Sequence, residues 1–350
     1  MSNRPFILVA GRYSEKSAGL KAMYMVCDSL NKMGFNAYIL VHPFYPPAKI
    51  NSYPYLCPIL NQETINYFNS NNISPIFIYS ENIKGAPYGG SVRLRYYLYF
   101  PGAWGGNISE PDHMLISFSR AISKDIIKDV KYLMPPLINT KIFQYIDKKN
   151  NQSCGICYYS EKFESNGGVI PVDIKKNGLK ITRYSYPNMN QRDIYEIFKV
   201  SKYFYVYENT GLIIEALISG VIVVIMPESG IRKMDLVYGP EINWSGVSFG
   251  NAQEDLNLAE RSLPYVQEYY SNIISNFNNN LKSIAVESFG IPYNFKKIPA
   301  IPGGAYIDLL NNLYYPLTII SILRVHGINH LLNYCKRYIK YHINACKNLF

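Results

Sequence analysis

Between Tyr203 and Met226 the chain places two apolar runs of strand length, 203-YFYVY-207 and 221-VIVVIM-226, around one run of helical length, 210-TGLIIEALIS-219. Strands that are almost continuously Val, Ile and Tyr belong to parallel sheets covered on both faces, and such strands are joined by a crossover helix. This stretch alone restricts the fold to the parallel α/β class. It also carries two carboxylates in apolar surroundings, Glu208 and Glu215, with the polar elbow Asn209-Thr210-Gly211 between them. The free N–H groups at the start of a helix here would form an anion site, with Thr210 and Gly211 letting backbone amides approach closely. Glu215, set among Leu, Ile and Ala on a buried helix, needs a partner such as sugar hydroxyls, an Arg or backbone amides.

The first half repeats the pattern. Strand 6-FILVA-10 leads through the loop 11-GRYSEKSAG-19 to a helix on which Leu20, Met23, Val26 and Leu30 recur with helical spacing and which ends at Gly34. Strand 37-AYILV-41 follows, completing a unit whose ligand side is the loop after the first strand. Further strands are expected at 75–80 and 114–119, with a helix over 91-SVRLRYYLYF-100 stopped by Pro101-Gly102. The polar run 146-IDKKNNQS-153 reads as a linker. Beyond it come strand 154-CGICYY-159 and a helix from Gln191, with Asn190 as N-cap and Asp193 in its first turn. Two domains are expected, 1–148 and 149–310, each a parallel α/β layer structure, followed by a tail at 311–350.

Charge and cysteine usage narrow the partners. Net charge is +10, and half of it lies after Asp308, where Arg324, Lys336, Arg337, Lys340 and Lys347 meet no acid. From Asn329 the apolar residues Leu331, Leu332, Cys335, Tyr338, Ile339, Ile343 and Cys346 share one side of a helical wheel and the cations share its flank. Such a basic amphipathic helix either packs on the body or lies on an anionic lipid surface. The chain shows no zinc-finger spacing, RNP-type strand or long Lys/Arg block, so nucleic acid is not the expected partner. Its apolar runs are too short to span a bilayer or to form a signal-peptide core, which places the expected site of action in the cytosol. Cys154 and Cys157 lie three apart on one strand and point to opposite faces, so they read as buried thiols rather than metal ligands.

An acid at a strand end, a short Gly-containing turn, E-A-x-x-x-G, a Val/Ile run and a Pro resemble the donor-binding segment of GT-B-fold nucleotide-sugar glycosyltransferases, and in particular the retaining E-x7-E group. Here Glu208 and Glu215 are separated by six residues, one fewer than that pattern. The stretch 79-YSENIKGAPYGGSVRLRYYLYFPG-102 is similar to a bacterial polysaccharide- and lipopolysaccharide-locus subgroup, with Ser80 and Ala86 where Pro and Asn are expected. Segment 186–210 fits the same subgroup.

The resemblance implies two Rossmann-like domains facing across a cleft, and transfer of a sugar from a nucleotide diphosphate to a hydroxyl of a cell-surface glycan or lipid-linked acceptor. It implies Glu215 on the ribose hydroxyls, Glu208 near the donor sugar, and Asn209, Thr210, Gly211, Gly19 and Arg183 around the donor. Lys162 would meet the charge growing on the departing diphosphate, and Ser17 and Arg93 would lie on the acceptor side. No D-x-D segment stands near the donor elbow, so neither a metal nor a cofactor is expected. A sugar-nucleotide epimerase and a catalytically degenerate assembly subunit are the alternatives on the same scaffold. A dinucleotide oxidoreductase is disfavoured because the first βα loop lacks G-x-G-x-x-G.

Overall fold

The computed structural model describes residues 4–42, 55–103, 112–126, 129–147 and 155–300. The tail and most of the linker lie outside them. Two compact units divide the chain. One runs up to Pro135 and takes up the chain again from Ile274; the other is Pro136–Ile273.

The first unit holds a six-stranded, all-parallel sheet of β1 (Phe6–Ala10), β2 (Ala37–Val41), β3 (Ile76–Ser80), β4 (Val92–Tyr97), β5 (Met114–Ser117) and β6 (Val130–Tyr132), in the order β2-β1-β3-β4-β5-β6. Strands β1 and β3 are buried throughout, as their unbroken apolar sequences require. Helix α1 (Ala18–Lys32) starts where the Ser17 hydroxyl accepts the Leu20 N–H at 3.3 Å. It ends at Lys32, two residues before Gly34, whose φ of +85° only glycine adopts freely. Helix α2 (Gln62–Ser70) covers the sheet through Ile65 and Phe68.

The helix expected over 91–100 is instead strand β4. Val92, Leu94 and Tyr96 are all fully buried at a spacing of two, and the strand pairs in parallel with both β3 and β5. A period of two supported on each side by sheet hydrogen bonds outweighs a ten-residue match to a helical period. The same strand buries Arg95 at 1% exposure. Its guanidinium donates to the carbonyls of Ser80, Ile83 and Gly85 and to Asp112 at 2.8 Å, so a single cation closes the loop after β3.

The second unit is a five-stranded parallel sheet of β7 (Gly155–Tyr159), β8 (Gly178–Lys180), β9 (Ser201–Val206), β10 (Ile222–Ile225) and β11 (Val247–Phe249), in the order β11-β10-β9-β7-β8. Two short helices, α3 (Glu161–Ser165) and α4 (Val172–Asn177), precede β8. Helix α5 (Gln191–Val200) carries the expected Asn190 cap as a full capping box with Asp193. Helix α6 (Leu212–Ile218) is buried along its whole length. The chain then runs through α7 (Gln253–Ser262) into α8 (Tyr265–Phe289).

Helix α8 begins in the second unit and ends in the first, where Phe289 packs against Phe6 and Phe35 with ring centroids 5.5 and 5.8 Å away. Past it, the Ile298 side chain joins the core around Ile7 and Phe77, and its backbone exchanges two hydrogen bonds with the Asn69 side chain. Cys157 is a buried thiol whose Sγ lies 3.7 Å from the Tyr203 carbonyl, and Cys154 lies outside the described residues.

Candidate active site at the carboxyl edge of the second sheet

The order β11-β10-β9-β7-β8 reverses direction between β7 and β9. In open parallel sheets that is where the loops leaving neighbouring strands diverge and a crevice opens at the carboxyl ends. Glu208 leaves β9 and Lys162 leaves β7, and the two meet there. Glu208 Oε1 accepts the backbone N–H of Lys162 at 2.9 Å, so the carboxylate satisfies a free N–H in the first turn of α3. Its second oxygen, Oε2, is buried and makes no hydrogen bond. Burial raises the Glu208 pKa above the ordinary carboxylate range, opposed by the Lys162 N–H and the Lys162 charge. The Lys162 side chain is exposed.

Glu161, which the sequence did not single out, organises the neighbouring loop. Its carboxylate accepts the backbone N–H groups of Arg183, Tyr184 and Ser185 and the Ser185 hydroxyl, at 2.6–3.2 Å. Arg183 is thereby fixed at the same edge, with its residue 7% exposed. Tyr159, at the end of β7, has its phenol pKa pushed up by burial first and by the charges of Glu208 and Glu161 next. The one signal for Glu161 was its place directly after strand 154–159, a position shared by many solvated acids.

The elbow is tied more tightly than its polarity suggested. The Asn209 amide donates to the Asp235 carbonyl at 2.9 Å and its oxygen accepts the Val237 N–H at 3.4 Å. The Thr210 hydroxyl accepts the Leu212 N–H, and Gly211 is the cap of α6. These side chains hold the loop, leaving backbone amides as the means of touching an anion. Glu215 lies inside α6 at 2% exposure, and its charge acts on the buried phenols of Tyr238 and Tyr270. A ribose reaches it only by opening that buried surround.

The first unit has its own reversal, between β1 and β3. Ser17 and Gly19 follow β1 there, and Glu81 follows β3. Glu81 is 7% exposed and accepts the Leu98 N–H at 2.9 Å, and Leu98 lies against Gly19. Burial pushes the Glu81 pKa up to about 7, against the pull of the Leu98 N–H and the Arg95 charge. Arg93 is elsewhere: it sits at the amino end of β4 with Nε 3.6 Å from Asp112. The sequence reading missed Glu81 because a single acid after a strand is common; only the fold shows that it is buried.

No family model and no curated protein matches the sequence. The fold is GT-B, two parallel-sheet α/β units each presenting a carboxyl edge. A glycosyltransferase from Rickettsia africae ESF-5 shares it at a TM-score of 0.51 and 12% identity, over 83% of this chain and 100% of that one. The calicheamicin glycosyltransferase CalG4 aligns over 82% of this chain and 98% of its own at 10% identity, with a TM-score of 0.40 that adds no weight. These likenesses establish the fold.

Proposed function

We propose that the chain is a glycosyltransferase that moves a sugar from a nucleotide diphosphate to a hydroxyl of a cell-surface glycan or lipid-linked acceptor. The observation that carries the reading is the buried, unbonded Oε2 of Glu208 at the β7/β9 reversal, an acceptor placed where this fold class receives ligands. A donor-sugar hydroxyl completes it. Lys162, beside Glu208, supplies a cation for the diphosphate, and preorganised charge of that kind is usually the largest contribution to such a step.

In the transfer, the bond from the anomeric carbon to the diphosphate oxygen breaks and its electrons leave with the nucleotide. The acceptor oxygen bonds to the same carbon, and its proton passes to the departing phosphate oxygen on the same face, giving retention. The backbone at Asn209, Thr210 and Gly211 takes the phosphates, Arg183 and Gly19 flank the donor, and Ser17 borders the acceptor. Glu215 is assigned the ribose hydroxyls on resemblance alone. Independence of a metal and attachment of the 329–350 tail to anionic lipid at the inner face of the cell membrane are parts of the same proposal; Arg93, at the amino end of β4, is left out of it. Among the described residues no helix is long and apolar enough to cross a membrane.

A thermal-shift screen against UDP-, GDP-, dTDP- and CMP-sugars tests it, because a ligand that binds only the folded chain raises Tm. One nucleotide class is expected to raise Tm by several degrees. No shift with any of them would leave a GT-B scaffold without a donor site.

A further inference from the structure

Along edge strand β11 of the second unit lies a cavity of about 450 Å³. It shares no residue with the Glu208–Lys162 edge. Its volume is that of a small-molecule site, and its lining has the mixture such sites use, aromatic surface with a few polar groups. Trp244, Tyr265 and Tyr269 supply ring surface, and Asn243 and Asp255 supply polar atoms. Tyr265 is 58% exposed, a large aromatic face open to solvent.

The backbone here is held in an unusual state. Asn243 and Trp244 are consecutive residues with φ of +50° and +52°, the left-handed region that side chains other than glycine rarely occupy. Three contacts keep Trp244 there: its Nε1 donates to the Lys233 carbonyl at 3.0 Å, the Lys233 ammonium lies 4.9 Å from its ring centroid, and the ring rests on Gly239. A Cβ on Gly239 would come within 2.3 Å of that indole nitrogen, so the sequence leaves room for the ring to lie flat. Strain of this kind persists where the surrounding structure imposes it, and it is concentrated at binding sites.

The charge of the lining says what fits. Lys233 and Asp255 are its charged residues, one of each sign, and the Lys233 ammonium is occupied by the Trp244 ring. A phosphate, a nucleotide or nucleic acid finds no net positive field here. What the lining offers is apolar ring faces edged by an amide, a carboxylate and two phenols, those of Asn243, Asp255, Tyr265 and Tyr269. The complement is a molecule with apolar faces, hydroxylated edges and no charge.

We propose that this groove binds a neutral oligosaccharide, with a sugar ring over Trp244 and Tyr265 and its hydroxyls on Asp255 and Asn243. The site is independent of the donor reading above and would hold glycan at a point away from the reacting hydroxyl. Calorimetric titration of the full chain with neutral tetrasaccharides built of glucose, galactose, mannose or N-acetylglucosamine tests it. At least one is expected to bind in the millimolar range or tighter. Tyr265→Ala and Asp255→Asn, both at exposed positions that leave Trp244 in place, are each expected to weaken that binding tenfold or more, without changing Tm or nucleotide affinity. Trp244→Ala is expected to abolish it. The proposal is overturned by either of two results: no binding across the panel, or binding unaltered in the Tyr265 and Asp255 variants.

Discussion

Glu208 Oε1 takes the backbone N–H of Lys162 at 2.9 Å, joining two residues 46 positions apart across the reversal point of the second sheet. One carboxylate oxygen serves the fold and the other is left over. The two duties separate in variants.

Glu208→Gln keeps an oxygen for the Lys162 N–H while removing the charge. Transfer is expected to fall roughly 100-fold in kcat, the usual cost of deleting one electrostatic contact at a reacting centre. Tm should hold. Glu208→Ala also removes the cap of α3 and should lose about 1 kcal/mol of stability besides. Steady-state kinetics beside thermal melts would show it, and an unchanged kcat in the Gln variant would remove Glu208 from the reaction.

Glu215→Ala is expected to weaken nucleotide-sugar binding about tenfold or more, the loss of hydrogen bonds to a charged group. Calorimetry reads this directly. Were affinity to stay constant while Tm dropped, Glu215 would belong to the buried group with Tyr238 and Tyr270 rather than to the donor.

Glu81 predicts a pH dependence of stability. Its folded pKa of about 7 lies above the 4.5 of a solvated glutamate, so between those values the folded chain binds the proton that the unfolded chain has released. The protonated contribution is fully present below about pH 4.5 and is lost as pH rises through about 7, with an upper limit of about 3 kcal/mol. Denaturant melts at stepped pH should show stability falling over that window, and Glu81→Gln, which mimics the protonated acid, should flatten it. An equal slope in both proteins would show that Glu81 is not its source.

Arg95→Met is expected to destabilise the first unit by about 3–5 kcal/mol, because Asp112 loses a buried cationic partner and three carbonyls lose their donor. Equilibrium unfolding measures this. A loss below about 1 kcal/mol would mean that water replaces the guanidinium.

Periodicity carried most of the fold. The uniformly apolar runs at 6–10, 203–207 and 221–226 have few ways to be satisfied outside a parallel sheet, and the Asn190/Asp193 pair marked its helix start to the residue. Strand β4 was misread because SVRLRYYLYF also satisfies a helical spacing, and a buried Arg is legible only once its partners from the 80–85 loop and Asp112 are in place. Of the site, the sequence brought forward Glu208 and Lys162 but not that they touch. Their hydrogen bond depends on β7 and β9 being neighbours, a fact of strand order. Trp244 gave no signal at all, because a left-handed backbone at an aromatic residue is written in contacts rather than in local sequence.

The path of α8 bears on how the molecule comes to be made. Phe6 and Phe35 emerge from the ribosome long before Phe289, which packs against both, and the Asn69 side chain precedes its Ile298 backbone partner by 229 residues. The first unit therefore cannot be completed during synthesis of its own strands. Its sheet must wait with part of one face uncovered until the whole second unit has been translated, so the unit begun first is the one finished last.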